Sequence, residues 1–472
     1  MERNKEQNRK QTHDFTRGPI FGPLVRFALP VLAALFLQTM YGAVDLLVVG
    51  QFGGPRAQEY VSAVSTGGML MQTLTIVISG LAMGLTVSVA LRIGAGRKDE
   101  AGQIIGCGIW LFGVIALVLT AVMLLSSPAL ASLMQVPEKA VPHTVAYLRI
   151  CSGGLLFIIA YNLLGSVFRG IGDSVIPLIS VVIACVMNIA GDLLLVAVFH
   201  LGAVGAAAAT VAAQAFSVVF SLQIIRRREL PFVLPRSEIR PQPTLAARIL
   251  RTGIPVALQD LLVSISFLVI LSIVNHLGLT ASAGVGVAEK LCGFLMLVPS
   301  AYMQSMSSFV AQNIGAGRQD RADRALFCGI ASSLAVCSLM WYCTFFHGDL
   351  LSGLFARDPE IIAVSAEYLK AYAIDCLLTS FLFCFIGYFN GCARTTFVML
   401  QGIAGAFGVR IPVSYYMSRQ VPVSLFHMGL ATPASSLVQI LLCGTYFLLL
   451  RRSRKAGNPG GGDAGGGDAG GQ

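Results

Sequence analysis

Two aspartates lie inside apolar stretches that hold no other acidic residue. Asp45 follows Gln38 and Tyr41 by seven and four residues, and Asp192 follows Asn188 by four. In a helix, these spacings place each aspartate on one face with its polar neighbours. An ionised side chain at the centre of a membrane helix costs roughly 2.5 to 3.5 kcal/mol, so such residues usually face a partner or a water-filled cavity. The pattern therefore predicts two polar helix faces that line an internal site.

The two aspartates are expected to share that site. Each lies nineteen residues beyond a charged residue at the start of its stretch, which puts both carboxylates at a similar height if the two helices rise from the same side. Tyr147 and Thr210 can reach the same zone from other helices. Two carboxylates in a poorly solvated site do not both ionise easily, so one is expected to hold a proton. This arrangement suits proton-coupled chemistry, and purely structural hydrogen bonds between helices are the alternative.

Single acidic residues also interrupt the apolar stretches of the second half of the chain. Asp260 and Asp375 carry the same cost of burial, but neither has a polar face as rich as that around Asp45. A functional role and a structural pairing are equally compatible with these two residues.

The patterns needed for other chemistry are missing from the sequence. The eleven cysteines are scattered through apolar stretches without a CxxC pair, and there is no Walker sequence, His/Cys metal set or nucleophile elbow. We therefore expect neither an enzyme nor an ATP-driven pump, and no cofactor or resident metal. The expected ligand of Asp45 and Asp192 is instead a coupling ion, H+ or Na+.

The composition indicates which elements carry these residues. Of 472 residues, 55% are hydrophobic and 12% are charged, and the mean hydropathy is +0.75. These values predict an all-α, polytopic protein embedded in the lipid bilayer. Stretches with the roughly 20 residues needed to cross a bilayer predict twelve transmembrane helices, near 24–49, 60–91, 103–126, 143–168, 174–199, 203–225, 247–277, 282–313, 325–346, 361–389, 394–417 and 425–450.

The net charge of +10 is spread over alternate loops and does not form one patch, which argues against a nucleic-acid partner. Lysines and arginines are concentrated at both ends of the chain, in the central loop and after the second and eighth stretches. Because cytoplasmic loops carry this excess, both termini are predicted to be cytoplasmic in a multi-pass protein of the cell membrane. We expect this protein to be a monomer.

The two halves of the chain repeat each other. RIGAGRKD at 92–99 returns as NIGAGRQD at 313–320, and Pro30-Val31 returns as Pro255-Val256. Six helices per half give both copies the same orientation, as in secondary transporters that bind substrate between parallel repeats. The predicted organisation is a polar cytoplasmic N-terminus at 1–18, an N-lobe at 19–225, a cytoplasmic linker at 226–246, a C-lobe at 247–451 and a disordered glycine-rich tail at 452–472.

The order of these polar residues resembles that of a known family. Pro30, Gln38, Tyr41 and Asp45 are followed by LLVVGQ, then by FRGIGD at 168–173, and Asn188-x-x-x-Asp192 is followed by Gly202-x-x-Gly205-Ala-Ala. Over roughly residues 19–450 the chain is similar to the multidrug and toxic compound extrusion (MATE) transporters of the polysaccharide flippase superfamily, especially their bacterial branch.

The resemblance implies two six-helix lobes around a central cavity, and export of cationic, amphipathic small molecules in exchange for H+ or Na+. It assigns ion coupling to Asp45, Asp192, Asn188 and Tyr41, substrate contact to Gln38, Tyr147, Thr210 and Asn162, and a hinge to Pro30. Some members carry a Glu and an Asp as a sodium site in the second lobe. Here Val263 and Thr379 occupy those positions, with Asp260 and Asp375 about one turn away, so the expected coupling shifts toward protons in the first lobe.

Two other functions stay open at this point. A flippase of the same superfamily, acting on lipid-linked oligosaccharides or precursors, would need cationic residues to meet pyrophosphate, whereas the residues predicted at mid-membrane are acidic. A membrane-embedded enzyme would need a metal set or a nucleophile with its base inside the helices, whereas the histidines fall near the ends of the apolar stretches.

Overall fold

The computed structural model describes residues 15–227, 232 and 236–456, and the regular elements within these ranges are helices. The first half contains α1 (Phe21–Phe52), α2 (Ala57–Gly94), α3 (Lys98–Leu133), α4 (Val141–Gly153), α5 (Leu155–Ile171), α6 (Val175–Asp192) and α7 (Gly202–Arg227). A π-helix, Leu193–Val198, continues α6.

The second half follows the same order with additional short helices. It contains α8 (Pro243–Asn275), α9 (Leu279–Leu295), α10 (Leu297–Gly315), α11 (Gln319–Phe346), α12 (Gly348–Gly353), α13 (Pro359–Gly391), α14 (Thr395–Gly405), α15 (Ile411–Ser418), α16 (Leu425–Gly429) and α17 (Ala431–Ala456). A second π-helix, Ala406–Arg410, joins α14 to α15.

The predicted all-α fold of membrane-spanning helices is confirmed, and one of the spans is strongly bent. In the described part of the chain, eleven helical segments are long and apolar enough to cross a membrane, and α4 with α5 makes a twelfth span that is bent by 52°. The sequence predicted a single helix at 143–168. The bend falls at Gly153-Gly154, where Val211 of α7 occupies the space that a side chain on Gly154 would need. Such pairs of small residues are common at kinks, so the sequence carried a signal for this bend.

The predicted hinge and the two predicted flexible segments have mixed outcomes. α1 runs through Pro30 without a break, so a hinge there stays a prediction. Phe232 of the predicted linker is buried in the hydrophobic core of the first half. α17 continues to Ala456, past the predicted start of the tail at 452. The rest of that tail and residues 1–14 lie outside the described residues.

The two halves meet where α2 crosses α8 and α10. A Cβ on Gly84 of α2 would overlap the carbonyl oxygen of Ile249, and a Cβ on Gly315 of α10 would overlap that of Leu91. Glycines at such crossings let membrane helices pack backbone to backbone. These contacts lie toward the side of the molecule at which α1 begins and α17 ends, which we call the terminal face. The two halves are therefore packed together at the terminal face.

The segment that precedes α1 crosses to the second half at the terminal face. The buried ring of Phe15 packs against Phe27 of α1 and Phe309 of α10, with ring centroids 5.1 and 5.0 Å apart. Arg321 of α11 donates hydrogen bonds to the carbonyl oxygens of Phe15, Gly18, Arg17 and Pro19, at 2.9, 2.7, 3.0 and 3.2 Å. Asn313 Nδ2 also donates to the carbonyl oxygen of Phe15 at 3.2 Å, and Arg318 donates to that of Thr16. The guanidinium group of Arg321 thus makes most of the hydrogen bonds that hold this segment against the second half.

Replacing Arg321 with Ala is expected to release residues 15–19 from α11. Hydrogen bonds to a charged group each contribute about 1.5 to 3 kcal/mol, so losing several of them should raise amide hydrogen exchange across this segment at least tenfold. Arg324→Ala is the matched control, because Arg324 is an exposed arginine of the same helix. Equal protection of residues 15–19 in the two variants would contradict the proposed role of Arg321.

Candidate functional site

Side chains of α1, α6 and α7 form a buried polar cluster in the first half. Asp45 is 6% exposed, Asn188 1% and Asp192 0%. The Thr210 hydroxyl lies within hydrogen-bonding distance of both Asp45 Oδ2, at 3.4 Å, and the carbonyl oxygen of Ala206, at 3.0 Å, and Asn188 Nδ2 donates to Thr210 Oγ1 at 3.4 Å. The carboxyl groups of Asp45 and Asp192 are neighbours. The structure thus brings together the two aspartates that the sequence singled out, together with Asn188 and Thr210.

The cluster holds more hydrogen-bond acceptors than donors. Within the described part of the chain, Asp45 Oδ1, both carboxylate oxygens of Asp192 and Asn188 Oδ1 are buried and accept no hydrogen bond. Buried polar atoms are normally paired, and an unpaired acceptor costs about 1 to 3 kcal/mol. A bound proton or a small hard cation such as Na+ would satisfy several of these oxygens at once. These buried oxygens therefore form a set of ligands that fits a cation.

Small residues bring α6 and α7 close enough to form this cluster. A Cβ on Gly191 of α6 would lie 2.9 Å from the Cβ of Ala209 in α7, which is next to Thr210. Asp192 ends the regular part of α6, and the π-helix Leu193–Val198 follows it. Single π-helical turns are rare and occur often at functional sites. Asp192 therefore lies at the junction between the α-helix and the π-helix.

Two tyrosines surround the aspartates. Tyr41 and Tyr147 both lie close to Asp45, and Tyr41 lies beside Gln214 of α7. Tyr147 is 4% exposed. The sequence analysis missed Gln214, although it follows Thr210 by four residues and so shares its helix face. That spacing would have identified it.

Other predicted residues line a separate cavity of about 170 Å³ between the two halves. Gln38, Asn162 and Asp260 all contribute to its wall. Gln38 Nε2 donates to the hydroxyl of Tyr161 at 3.4 Å, and Ser79 Oγ donates to Asn162 Oδ1 at 3.1 Å. The predicted substrate contacts are therefore divided. Gln38 and Asn162 lie at this cavity, whereas Tyr147 and Thr210 lie at the aspartate cluster.

Comparison with known proteins identifies the family to which this arrangement belongs. A sequence profile of the family described as MatE matches residues 30–194 and 255–416. Together, these two segments cover more than half of the chain, one in each repeat. The chain belongs to the MATE family. Members of this family are membrane transporters and not enzymes, as the sequence predicted.

Similar proteins match along most of the chain. A probable multidrug resistance protein of Bacillus subtilis, YpnP, is 28% identical over 83% of this chain and 86% of its own length. The multidrug export protein MepA of Staphylococcus saprophyticus is 24% identical over 87% and 90%. A solved outward-facing multidrug resistance MATE transporter superposes with a TM-score of 0.88 at 19% identity, over 95% of this chain and 99% of that one. The last match supports the fold.

The second half of this MATE protein has its own buried charges, arranged differently. Asp375 is 2% exposed and Arg410 6% exposed. The Arg410 guanidinium, on the π-helix before α15, donates to Ser266 Oγ at 3.2 Å and lies 4.4 Å from the ring centroid of Phe267. The sequence analysis missed Arg410, a lone basic residue in an apolar stretch. This half therefore combines buried acidic groups with a buried cation, which the Asp45 cluster does not.

Glu289 lies near the start of the predicted helix at 282–313, where long charged side chains usually anchor a helix at the membrane interface. In the structure, Glu289 Oε1 is instead buried and has no hydrogen-bond partner in the described chain. Helix position alone did not reveal that α9 packs against α13 on this side.

Thr210→Val is expected to weaken cation binding at the MATE aspartate cluster while leaving transport detectable. The valine has nearly the same shape but cannot donate to Asp45 Oδ2, and a hydrogen bond to a charged group is worth about 1.5 to 3 kcal/mol. The apparent affinity for the coupling ion should therefore change about tenfold or more. Ion titration of transport rates measures this change. Thr210→Ser keeps the hydroxyl and should restore the wild-type value, so equal shifts in both variants would refute the role of the hydroxyl.

Proposed function

We propose that this MATE protein is a secondary antiporter that exports cationic, amphipathic compounds in exchange for H+ or Na+, coupled at Asp45 and Asp192. The observation that carries the proposal is the group of four buried carboxylate and amide oxygens that accept no hydrogen bond. Burying these oxygens without a partner costs free energy, and binding a cation among them removes that cost. The multidrug names of the Bacillus and Staphylococcus relatives support the choice of substrate.

Coupling would arise from competition between the ion and the substrate. A proton or Na+ at Asp45 and Asp192 neutralises negative charge, which weakens the attraction that the first half exerts on a cationic substrate. α1 links the cluster to the cavity, since Asp45 and Gln38 are seven residues apart on it, about 10 Å along the helix axis. Occupation of the cluster can therefore shift α1 and release substrate from the cavity wall.

The cavity wall suits an amphipathic cation. It combines apolar side chains, including Met83, Met303 and Phe168, with Gln38 and the half-buried carboxyl group of Asp260. Methionines adapt to ligands of different shape because their side chains are flexible and polarisable. Promiscuous sites often use such surfaces.

The proposed orientation places the terminal face in the cytoplasm, with the protein acting as a monomer in the plasma membrane. The lysine and arginine excess of the loops at this face supports it. In this orientation, the close packing of α2 against α8 and α10 closes the cytoplasmic side.

One observation favours a second candidate, a flippase for lipid-linked precursors. Arg169 lines the same cavity and could meet an anionic headgroup. Its Nη2 already donates to Ser166 Oγ at 3.0 Å, and Asp260 supplies an opposite charge to the wall. Export of cations therefore remains the better-supported function.

Purified protein in liposomes tests the proposal. Efflux of a fluorescent cation such as ethidium is followed under an imposed proton gradient, an imposed sodium gradient, or neither. We expect efflux to accelerate at least tenfold under one of the two gradients. The same rate under all three conditions, together with movement of a fluorescent lipid-linked pyrophosphate between leaflets, would establish the flippase instead.

A further inference from the structure

A second cavity, of about 650 Å³, lies at the terminal face between the two halves. We call it the arginine pocket, after the basic residues in its wall: Arg92, Arg97, Arg248, Arg251 and Arg394. None of the residues that form this wall is acidic. The pocket is therefore a concentrated positive site, unlike the aspartate cluster.

Only part of this positive charge is paired within the described chain. Arg92 and Arg97 both contact the carboxylate of Glu100, at 3.0 and 3.4 Å. Arg248, Arg251 and Arg394 form no ion pair with the acidic side chains of the described residues. Three guanidinium groups from two separate segments therefore line one space without an acidic partner among the described residues.

The geometry of the three groups suits a phosphate. Arg248 and Arg251 are three residues apart on α8, so they share a helix face, while Arg394 approaches from the turn between α13 and α14. Thr252 and Thr395 add hydroxyl groups to the wall. Guanidinium groups bind phosphate oxygens through paired hydrogen bonds, which makes arginine the preferred residue for such ligands.

The internal repeat offers an independent comparison. In the first half, Asp173 Oδ1 accepts hydrogen bonds from the amides of Val175 and Ile176 at 2.9 and 3.1 Å. Asp173 thus caps α6, because it pairs backbone N–H groups that have no partner within the helix. The position that corresponds to Asp173 at the repeat offset is Arg394, and no side chain caps the start of α14. The second half thus has a cation where the first half has a capping carboxylate, and the helix start beside the pocket favours an anion from outside the chain.

We propose that the arginine pocket binds a phosphate-bearing anion, either the headgroup of an anionic lipid or a soluble phosphate compound. The ligand bridges the two halves of the protein. It contacts Arg92 at the end of α2 and Arg97 directly before α3 in the first half, and Arg248, Arg251 and Arg394 in the second half. Basic pockets between membrane helices are known to hold such headgroups. Binding holds the terminal face closed, and it does not depend on which ion or substrate the transporter uses.

The test compares two variants of the full-length protein. Arg251→Gln/Arg394→Gln removes two of the unpaired guanidinium groups. Arg226→Gln/Arg227→Gln removes the same charge from exposed positions at the end of α7 and is the matched control. In the soluble arm, calorimetry measures inorganic pyrophosphate binding in a neutral detergent. In the lipid arm, native mass spectrometry counts phosphatidylglycerol retained from nanodiscs, against phosphatidylcholine.

In at least one arm, we expect the wild type and the control variant to bind alike and the pocket variant to bind about tenfold or more weakly. The arm that responds identifies the source of the phosphate. Absence of binding to the wild type in both arms, or equal binding by the pocket and control variants, would overturn the proposal. If the double variant does not fold, the single variant Arg248→Gln, at an exposed position, is read by the same criteria.

Discussion

Asp45→Asn is expected to reduce gradient-driven efflux to the rate of protein-free liposomes while leaving the folded protein intact. Asparagine keeps the size of the side chain and can still accept the hydrogen bond from Thr210, but it cannot bind and release a proton or neutralise Na+. Asp192 then lacks its neighbouring carboxylate. Binding and release of the ion therefore no longer change the charge at position 45, and substrate movement is no longer coupled to the ion. Substrate efflux and ion flux, measured in the same liposomes, check this result.

Asp260→Asn is the control for Asp45→Asn, because it removes a carboxylate from the cavity wall and leaves the aspartate cluster unchanged. We expect it to alter substrate affinity while efflux still responds to the ion gradient. Size-exclusion profiles and melting temperatures of both variants establish that the protein is folded. Gradient-driven exchange that persists in Asp45→Asn would rule out the proposed coupling site, whatever the effect of Asp260→Asn.

Gly84→Val is expected to abolish transport by a different route, since it prevents the two halves from closing at the terminal face. The added Cβ would overlap the carbonyl oxygen of Ile249 and lie 2.7 Å from the backbone nitrogen of Gly253. Both obstacles are backbone atoms, so no side chain can move aside. α2 and α8 must separate, and amide hydrogen exchange in residues 249–256 should rise together with the loss of efflux.

Gly113→Val is the matched control for Gly84→Val. Gly113 is also inside a membrane-spanning helix, but nothing lies within 4 Å of a Cβ added there. Each substitution introduces the same β-branched side chain, so the intrinsic effect on the helix is equal. Normal efflux and unchanged hydrogen exchange in Gly84→Val would show that close packing of α2 against α8 is not needed for transport.

The local periodicity of the sequence predicted much of the first-half site. Asp45, Tyr41 and Gln38 share a face of α1, and Asn188 and Asp192 share a face of α6, because residues four and seven apart in a helix always do so. The predicted shared height of the two aspartates follows from the constant rise of the helix. The assignment of coupling and substrate roles to individual residues stays a prediction.

Contacts between distant segments explain what the sequence analysis missed or misplaced. Arg410 and Glu289 gave no local signal strong enough to distinguish a buried site from a residue at the membrane interface. Their surroundings depend on which helices are neighbours, and that depends on many small packing contacts such as Gly191 against Ala209. The arginine pocket is a further case, because its residues come from segments more than a hundred positions apart in the sequence.

The sequence by itself determined the membrane-spanning helices, the duplication and the polar face of each helix, since hydropathy and helical periodicity are properties of neighbouring residues. Tertiary structure alone decided which faces meet, and so placed Asp45 beside Asp192, assigned Gln38 and Thr210 to separate sites and gathered the arginines at the terminal face. The physical reason is that helix contacts depend on how closely two backbones can approach. That approach is set jointly by small residues on both partners, and a single stretch of sequence contains only one of them.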